Sequence, residues 1–347
     1  MQEARDYMEK KRVLVALSGG VDSSAAAVLL QKSGYYCDGA TLELCGESHT
    51  SAAQATAAQL GMDFFVFDER ARFRAEVQDP FVAAYCAGRT PNPCISCNHA
   101  LKFGAFLDRA IELGYDYIAT GHYAQVDCKD GIYRLLRGAD RRKDQSYFLY
   151  QLTQYQLQHL LLPVGEYDKP AIREIARGAG LQSADRSDSQ DICFIPDGNY
   201  VRFLQQRGVK LEPGNFVDET GKVLGQHRGL PCYTIGQGNG LGISLGRHVY
   251  VLQKNPADNT ITLGSDNALY RSILTAHQVN WIMGTPDAPF CCRAKTRYSQ
   301  MESACRVTPL PDNRIQVDFD TPQRAITAGQ AVVLYDGDVV LGGGTIE

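Results

Sequence analysis

The segment Arg12-Val-Leu-Val-Ala-Leu-Ser-Gly-Gly-Val-Asp-Ser-Ser24 constrains the fold more than any other part of the chain. Its apolar residues 13–17 are enough for a buried strand, and a second apolar run, 25–30, predicts a helix after the glycine turn. This order predicts an anion site, because the first amides of a helix lack intrahelical partners and the helix dipole adds positive potential. Gly19 and Gly20 let the backbone approach a phosphate where a Cβ would clash.

The turn differs from two better-known phosphate loops, since neither Gly-Lys-Ser/Thr nor Gly-x-Gly-x-x-Gly is present. Ser18-Gly-Gly-Val-Asp-Ser23 resembles instead the pyrophosphate loop of enzymes that cleave ATP between the α and β phosphates. Those enzymes attach AMP to an oxygen so that a nucleophile can displace it. The alternative is an ordinary helix after a strand, capped by Asp22 or Ser23. Six matched residues after a strand favour the pyrophosphate loop.

Composition indicates a multidomain globular protein. At 347 residues the chain exceeds one ordinary core, and 44% hydrophobic with 21% charged residues is typical of globular proteins. Eleven cysteines without an export signal predict reduced thiols and a cytoplasmic location. The longest uncharged stretch, 145–165, is rich in glutamine, so we expect no membrane span.

A net charge of −4 disfavours nucleic-acid binding by bulk charge but leaves room for local basic patches, within 134–143 and 293–297.

Alternating patterns in the first half predict an α/β fold with a parallel sheet wrapped by helices. We expect strands at 13–17, 36–44, 63–68 and 115–120, and helices at 51–60, 70–87, 100–113, 144–162 and 169–179. From about Gly208 the chain changes to glycine-rich turns and short β patterns, and the strands after Ala276 predict a closing barrel. The predicted domains are 1–207 (nucleotide binding and catalysis), 208–273 (small, central and β-rich) and 274–347 (C-terminal β-barrel).

A second informative segment is Thr90-Pro-Asn-Pro-Cys-Ile-Ser-Cys-Asn98. Its prolines predict a rigid loop that holds Cys94 and Cys97, with Asn98 capping the helix that follows. Cys97 would then lie beside a helix N-terminus, which lowers the pKa of a thiol, and Lys102 adds positive charge. Half of a zinc site and a thioredoxin-like redox pair are the alternatives, although no second Cys-x-x-Cys follows.

A third segment, Ser187-Asp-Ser-Gln-Asp-Ile-Cys-Phe-Ile-Pro196, places Cys193 among Asp188 and Asp191. Taken alone, Cys193 is a half-buried packing residue. Together with the pyrophosphate loop and Cys97, it becomes a candidate reactive thiol.

Seven motifs occur in order along the chain from about Lys11 to the C-terminus. They are Ser18–Ser24, Asn92-Pro-Cys-Ile-Ser-Cys-Asn98, Ala119-Thr-Gly-His-Tyr123, Lys143-Asp-Gln-Ser-Tyr-Phe148, Ser189-Gln-Asp-Ile-Cys-Phe194, Tyr233-Thr-Ile-Gly-Gln237 and Lys295-Thr-Arg-Tyr298. Together they resemble the tRNA-specific 2-thiouridylase family (MnmA type). The resemblance implies a Rossmann-like PP-loop domain, a small central domain and a C-terminal β-barrel that contacts tRNA. It also implies a sulfurtransferase reaction, the ATP-dependent 2-thiolation of the wobble uridine (position 34) through an adenylated uridine and a cysteine persulfide.

The same resemblance implies roles for individual residues. Cys193 would carry the persulfide, and Cys97 would be the second catalytic cysteine, acting as a nucleophile. The residues expected around ATP are Ala16, Leu17, Ser18, Gly19, Gly20, Val21, Asp22, Ser23, Leu42 and Gly121. Those expected at the target base or the tRNA are Asn92, Pro93, Cys94, Lys143, Asp144, Gln145, Arg297 and Tyr298. His122 lies near the nucleotide or is a structural imidazole.

The implied cofactors are ATP and Mg²⁺, and the implied partners are a tRNA with a wobble uridine and a persulfide donor, such as a cysteine desulfurase or a sulfur-relay protein. The reaction would release AMP and pyrophosphate, and Cys97 would either release sulfide or leave a Cys97–Cys193 disulfide. Cys94 stands where many members have Asp, which puts a general acid or base in doubt. Cys94, Cys97 and Cys193 could instead hold a [4Fe-4S] cluster in an iron–sulfur-dependent tRNA thiolase. A ligase or amidase acting on a small metabolite is a further alternative.

Overall fold

The computed structural model describes residues 10–45, 50–185 and 192–347. Its strands, in chain order, are β1 (Arg12–Ala16), β2 (Tyr36–Glu43), β3 (Phe64–Asp68), β4 (Tyr117–Ala119), β5 (Ala124–Lys129), β6 (Ile132–Arg137), β7 (Leu160–Leu161), β8 (Gly214–Val217), β9 (Val223–His227), β10 (Tyr250–Asn255), β11 (Thr260–Gly264), β12 (Tyr270–Trp281), β13 (Phe290–Lys295), β14 (Ser303–Leu310), β15 (Arg314–Arg324), β16 (Ala331–Asp336) and β17 (Val339–Ile346). The α-helices are α1 (Val21–Lys32), α2 (Thr50–Gln59), α3 (Arg70–Phe73), α4 (Asp79–Cys86), α5 (Pro93–Cys97), α6 (Phe106–Glu112), α7 (Gln154–Gln158), α8 (Lys169–Gly178) and α9 (Tyr200–Gln206).

The predicted parallel sheet is confirmed. Its order is β3-β2-β1-β4-β7, and every neighbouring pair runs parallel. The central strand β1 is fully buried at Val13, Leu14 and Val15, as expected for a strand covered on both faces. The loop after β1 therefore opens at the carboxyl edge of the sheet, where open α/β folds bind ligands.

Two further sheets follow. The central one has the order β10-β11-β8-β9. The last sheet runs β12-β15-β14-β13-β16-β17, and a β12–β17 pairing closes these six strands into the predicted C-terminal barrel.

A hairpin from the first half of the chain joins the barrel. Strands β5 and β6 pair with each other, and β6 pairs with β17 through Leu136 and Leu135. The turn between them, Asp130-Gly131, has φ values of 53° and 79°, as a type I′ turn requires. One apolar core consequently runs from the parallel sheet (Leu14, Ile118) into the barrel (Val333, Val340).

The predicted helix over 144–162 is wrong. That stretch forms a 3-10 turn (Ser146–Leu149), the short helix α7, and β7. Thr153 starts α7 with a reciprocal capping box to Gln156, which interrupts any longer helix. Tyr147, Leu149, Tyr150 and Leu152 are all buried, so residues 144–152 have no exposed face of the kind an amphipathic helix presents.

Within the three described ranges, no helix combines the length and the apolar character that crossing a bilayer requires.

Candidate active site

The loop between β1 and α1 is closed by its own serines. Ser23 Oγ accepts a hydrogen bond from Ser18 N at 3.1 Å and donates one to Gly20 O at 3.1 Å. Gly19 has a φ of 74°, which favours glycine, and Gly20 precedes the first residue of α1. Because the amides of the first helical turn find no acceptor inside the helix, this tight loop has the form of an anion site.

Asp22, in the first turn of α1, is held by two other segments. Lys169 Nζ lies 2.7 and 2.8 Å from its two carboxylate oxygens, and Tyr123 Oη donates to Oδ1 at 2.7 Å. Lys169 is the first residue of α8, whose N-cap Asp168 accepts from Ala171 N. The loop is therefore tied to α8 and to the segment after β4.

Gly121 packs directly against the loop. A Cβ at this position would lie 2.6 Å from Ser23 N and 2.7 Å from the Asp22 carbonyl carbon. Only a glycine lets the chain after β4 pass this close to the start of α1. Leu42, the other residue expected near ATP outside the loop, lies partly buried at the end of β2.

The segment with Cys94 and Cys97 is a helix, so the predicted rigid loop is wrong. Pro93 occupies the first position of α5, where its missing N–H costs nothing, and Asn92 Oδ1 accepts from Cys94 N at 3.2 Å. Asn98 does not cap a helix, because helical structure continues from 93 to 112; its side chain donates to Phe148 O instead.

The predicted low pKa of Cys97 is also wrong. Cys97 is the fifth residue of α5 and only 8% exposed, so it is removed from the positive end of the helix. Burial raises its pKa to about 11, against the opposing charge of Lys102. Burial likewise raises the pKa of Cys94.

Cys193 has the opposite character. It is exposed, and a hydrogen bond from Cys45 lowers the pKa of its thiol to about 7, with a further contribution from Lys102. The same bond raises the pKa of Cys45, whose side chain packs in a cluster with Cys97 and Phe194. Residues 186–191, including Asp188 and Asp191, lie outside the described residues.

These pKa values predict different pH dependences for the two thiols. Alkylation of Cys193 by iodoacetamide should rise through pH 7 and level off above about pH 8, since the thiolate is the reacting species. Alkylation of Cys97 should keep rising beyond pH 9. Mass spectrometry of the two peptides after timed quenching measures both rates. Faster modification of Cys97 than of Cys193 at pH 7 would contradict this assignment.

His122 connects the loop to the thiols. It follows Gly121, and its Nε2 lies 3.5 Å from Lys102 Nζ while its Nδ1 lies 2.7 Å from Thr120 Oγ1. Burial lowers the pKa of His122 well below its usual value, so the ring is neutral. An ammonium only donates, so Nε2 accepts from Lys102 and Nδ1–H donates to Thr120. This arrangement fits a structural and positioning imidazole.

The residues expected at tRNA divide into two groups. Asp144 is buried and accepts from Gly138 N, Ser146 N and Ser146 Oγ, and Gln145 Oε1 accepts from Tyr123 N. Arg297 donates to Ile235 O, Ala325 O and Thr327 Oγ1, which ties the central domain to the barrel. The side chains of Asp144, Gln145 and Arg297 are therefore engaged in internal hydrogen bonds that fix the backbone beneath the surface.

Lys143 and Tyr298 lie nearer to solvent. The Tyr298 ring is 36% exposed, and its centroid lies 4.4 Å from that of Phe148. A half-exposed aromatic ring of this kind is suited to stacking on a base.

Among the described residues, the structure does not pre-arrange a metal site. In the parts of the chain that it describes, no three His, Cys, Asp or Glu side chains converge closely enough to hold a metal ion. Cys94, Cys97 and Cys193 interact electrostatically but do not form such a set. The described residues therefore do not fit a preformed iron–sulfur site.

Several features of the site were missed by the sequence interpretation. The Asp-Gly pair at 130–131 between alternating strands is a strong hairpin signal and would have revealed β5 and β6. No local pattern could reveal the Cys45–Cys193 bond or the Lys169–Asp22 ion pair, which joins residues 147 positions apart.

Family models and known proteins match the whole described architecture. The matched models are a tRNA methyl transferase HUP domain (residues 11–197), a tRNA methyl transferase PRC-barrel domain (201–265) and an aminomethyltransferase β-barrel domain (271–346). The chain is 46% identical over 362 residues to the tRNA-specific 2-thiouridylase MnmA of Carboxydothermus hydrogenoformans, covering 99% of each chain. It is 44% identical over 356 residues to the tRNA-specific 2-thiouridylase MnmA of Clostridium perfringens, covering 98% of this chain and 99% of that one.

Proposed function

This chain belongs to the tRNA-specific 2-thiouridylase family, and from that premise we propose that it uses ATP to replace the 2-oxygen of a tRNA wobble uridine by sulfur. The reaction is a sulfur transfer that releases AMP and pyrophosphate. A ligase or amidase acting on a small metabolite is not favoured, since relatives of nearly the same length are 2-thiouridylases.

One observation carries this proposal. The segment Gly121-His122 contacts the pyrophosphate loop on one side and Lys102 on the other. Lys102 in turn interacts with Cys94, Cys97 and Cys193. A phosphate site and a group of thiols therefore adjoin one another, as a reaction that activates an oxygen and then replaces it by sulfur requires.

The loop would carry out the first step. The ATP site in this proposal comprises residues 16–23 with Leu42 and Gly121. The uridine 2-oxygen attacks the α-phosphate, the bond to the β-phosphate breaks, and pyrophosphate leaves. Amides of the first turn of α1 stabilise the departing charge. Mg²⁺, when bound with the nucleotide, supplies further neutralisation of phosphate charge.

The cysteines would carry out the second step. The persulfide on Cys193 attacks C2, and AMP leaves with the former uridine oxygen. Cys97 then attacks the Cys193 sulfur, which releases 2-thiouridine and leaves a Cys97–Cys193 disulfide, or it reduces the persulfide beforehand and releases sulfide. The low pKa of Cys193 supports its role as the acceptor of sulfur, because a thiolate is the nucleophile.

The remaining roles complete the proposal. Asn92, Pro93 and Cys94 face the target base, and Lys143 and Tyr298 contact the tRNA on a surface that Asp144, Gln145 and Arg297 support. Residues 1–207 perform the chemistry, while 208–273 and 274–347 form the central and C-terminal domains. A persulfide donor, of the cysteine desulfurase or sulfur-relay class, loads Cys193 in the cytoplasm.

Thiolation of defined tRNA tests this function. Unmodified tRNA with U34, ATP, Mg²⁺ and a persulfide donor are incubated with the protein, and digested nucleosides are identified by mass spectrometry. We expect one 2-thiouridine per tRNA with U34 and none in a matched tRNA with C34. Absence of 2-thiouridine, or equal sulfur incorporation into the C34 tRNA, would overturn the proposal.

A further inference from the structure

The helix that carries the cysteines changes its pitch beside them. Between α5 and α6, residues Asn98–Ala105 form a π-helix, in which hydrogen bonds span five residues instead of four. In a regular α-helix, a residue five positions after Cys97 would lie about 140° around the axis. The wider turn of a π-helix reduces this angle, which brings Lys102 closer to the side of the helix that carries Cys97.

The electrostatic contacts agree with this placement. The charge of Lys102 acts on Cys94, Cys97 and Cys193, three thiols from two separate segments of the chain. On its other side, Lys102 donates to the neutral ring of His122 at 3.5 Å. His122 is itself fixed by Thr120 at 2.7 Å, and its ring packs 5.6 Å from that of Phe103. The ammonium thus contacts a neutral acceptor, while its charge acts on the three thiols.

We propose that Lys102, placed by the π-helix and held by His122, is the cation that stabilises the anionic sulfur during transfer from Cys193. The role of Lys102 in sulfur transfer rests on the proposed function, whereas the contact between Lys102 and His122 does not depend on it. A half-buried, positioned charge of this kind stabilises charge that develops in a reaction better than solvent does.

An anionic sulfur is the nucleophile in both halves of the transfer. The terminal sulfur anion of the Cys193 persulfide forms a bond to C2, and the C2–O bond breaks with its electron pair leaving on AMP. The Cys97 thiolate then bonds to Cys193 Sγ, and the bond from that atom to the transferred sulfur breaks. The charge passes to the thiouridine, which takes up a proton, and an external dithiol reopens the Cys97–Cys193 disulfide. The charge of Lys102 acts on both thiols that take part in the transfer.

A pair of alkylating reagents tests the charge directly. Iodoacetate is anionic and iodoacetamide neutral, so the ratio of their rates at the Cys193 peptide reports the local potential. We expect Lys102→Gln to lower that ratio about fivefold, a size set by one partly screened charge at short range. Lys102→Arg should retain the ratio within about twofold, as should Lys222→Gln, a matched control in the central domain.

Single-turnover transfer from preloaded Cys193 persulfide provides the second measurement. Lys102→Gln should slow transfer about 100-fold with unchanged tRNA affinity, and Lys102→Arg should recover much of the rate. An unchanged reagent ratio in Lys102→Gln, or full transfer activity, would overturn the role of Lys102. The alkylation ratio needs neither ATP nor tRNA. If the wild-type protein had no thiolation activity, the proposed function would be overturned, whereas the effect of Lys102 on the reagent ratio would stand.

Discussion

Replacing Cys193 by Ser is expected to lower the rate of 2-thiouridine formation by at least ~10³-fold, the scale on which loss of a covalent nucleophile acts. A hydroxyl cannot hold a persulfide, so no sulfur reaches C2. ATP binding should be unchanged, because Cys193 lies outside the loop that the serines close. Thiolation is measured by nucleoside mass spectrometry, and nucleotide affinity by equilibrium dialysis.

Cys128→Ser is the matched control for this substitution. Cys128 is also exposed, but it lies on the hairpin strand β5. We expect this variant to thiolate tRNA at the wild-type rate. Full activity of Cys193→Ser would show that another thiol carries the sulfur, and equal loss in both variants would point to a general effect of removing a cysteine.

Replacing Gly121 by Ala is the second change with a large expected effect. The added Cβ would meet backbone atoms of Ser23 and Asp22 at 2.6 and 2.7 Å, and backbone cannot give way as a flexible side chain can. We expect the loop to be displaced, with a loss of at least about tenfold in ATP affinity and a destabilisation of about 1–3 kcal/mol, as for other overpacked positions. Isothermal titration with ATP and urea unfolding measure the two effects.

Gly178→Ala provides a matched control for the added methyl group. Gly178 ends α8, and a Cβ there would meet no atom within 4 Å. Since Ala is a better helix former than Gly, stability should be unchanged or slightly higher and ATP affinity should remain at the wild-type value. Wild-type ATP affinity in Gly121→Ala would contradict the placement of Gly121 at the nucleotide site.

Sequence patterns were enough to predict the parallel sheet and the barrel, because strand periodicity and the order of elements are local properties. The prediction for 144–162 was wrong because most of its apolar residues, among them Tyr147, Leu149 and Tyr150, are buried in the core shared by the sheet and the barrel. Periodicity alone cannot distinguish such a buried stretch from a helix. The hairpin β5–β6, in contrast, does have a local signal, because an Asp-Gly pair such as Asp130-Gly131 favours the type I′ turn that joins two strands.

Sequence motifs select candidate residues for the site, but they do not predict the pKa values of its thiols. Cys97 was expected to have a lowered pKa from its neighbours in sequence, yet burial among Phe73 and Leu101 raises its pKa. Cys193 is activated by Cys45, a residue 148 positions away, and such a contact depends on the folded chain. Roles set by local motifs were therefore easier to infer than pKa values set by tertiary packing.

The fate of the uridine oxygen tests the central claim most directly. A tRNA carrying ¹⁸O at the 2-position of U34 is thiolated in unlabelled water, and the AMP is analysed by mass spectrometry. If the loop activates that oxygen and sulfur from Cys193 displaces it, each 2-thiouridine formed should yield one AMP that contains one ¹⁸O atom. Unlabelled AMP alongside 2-thiouridine would contradict the account, because ATP would then have been cleaved without attachment to the oxygen that sulfur replaces.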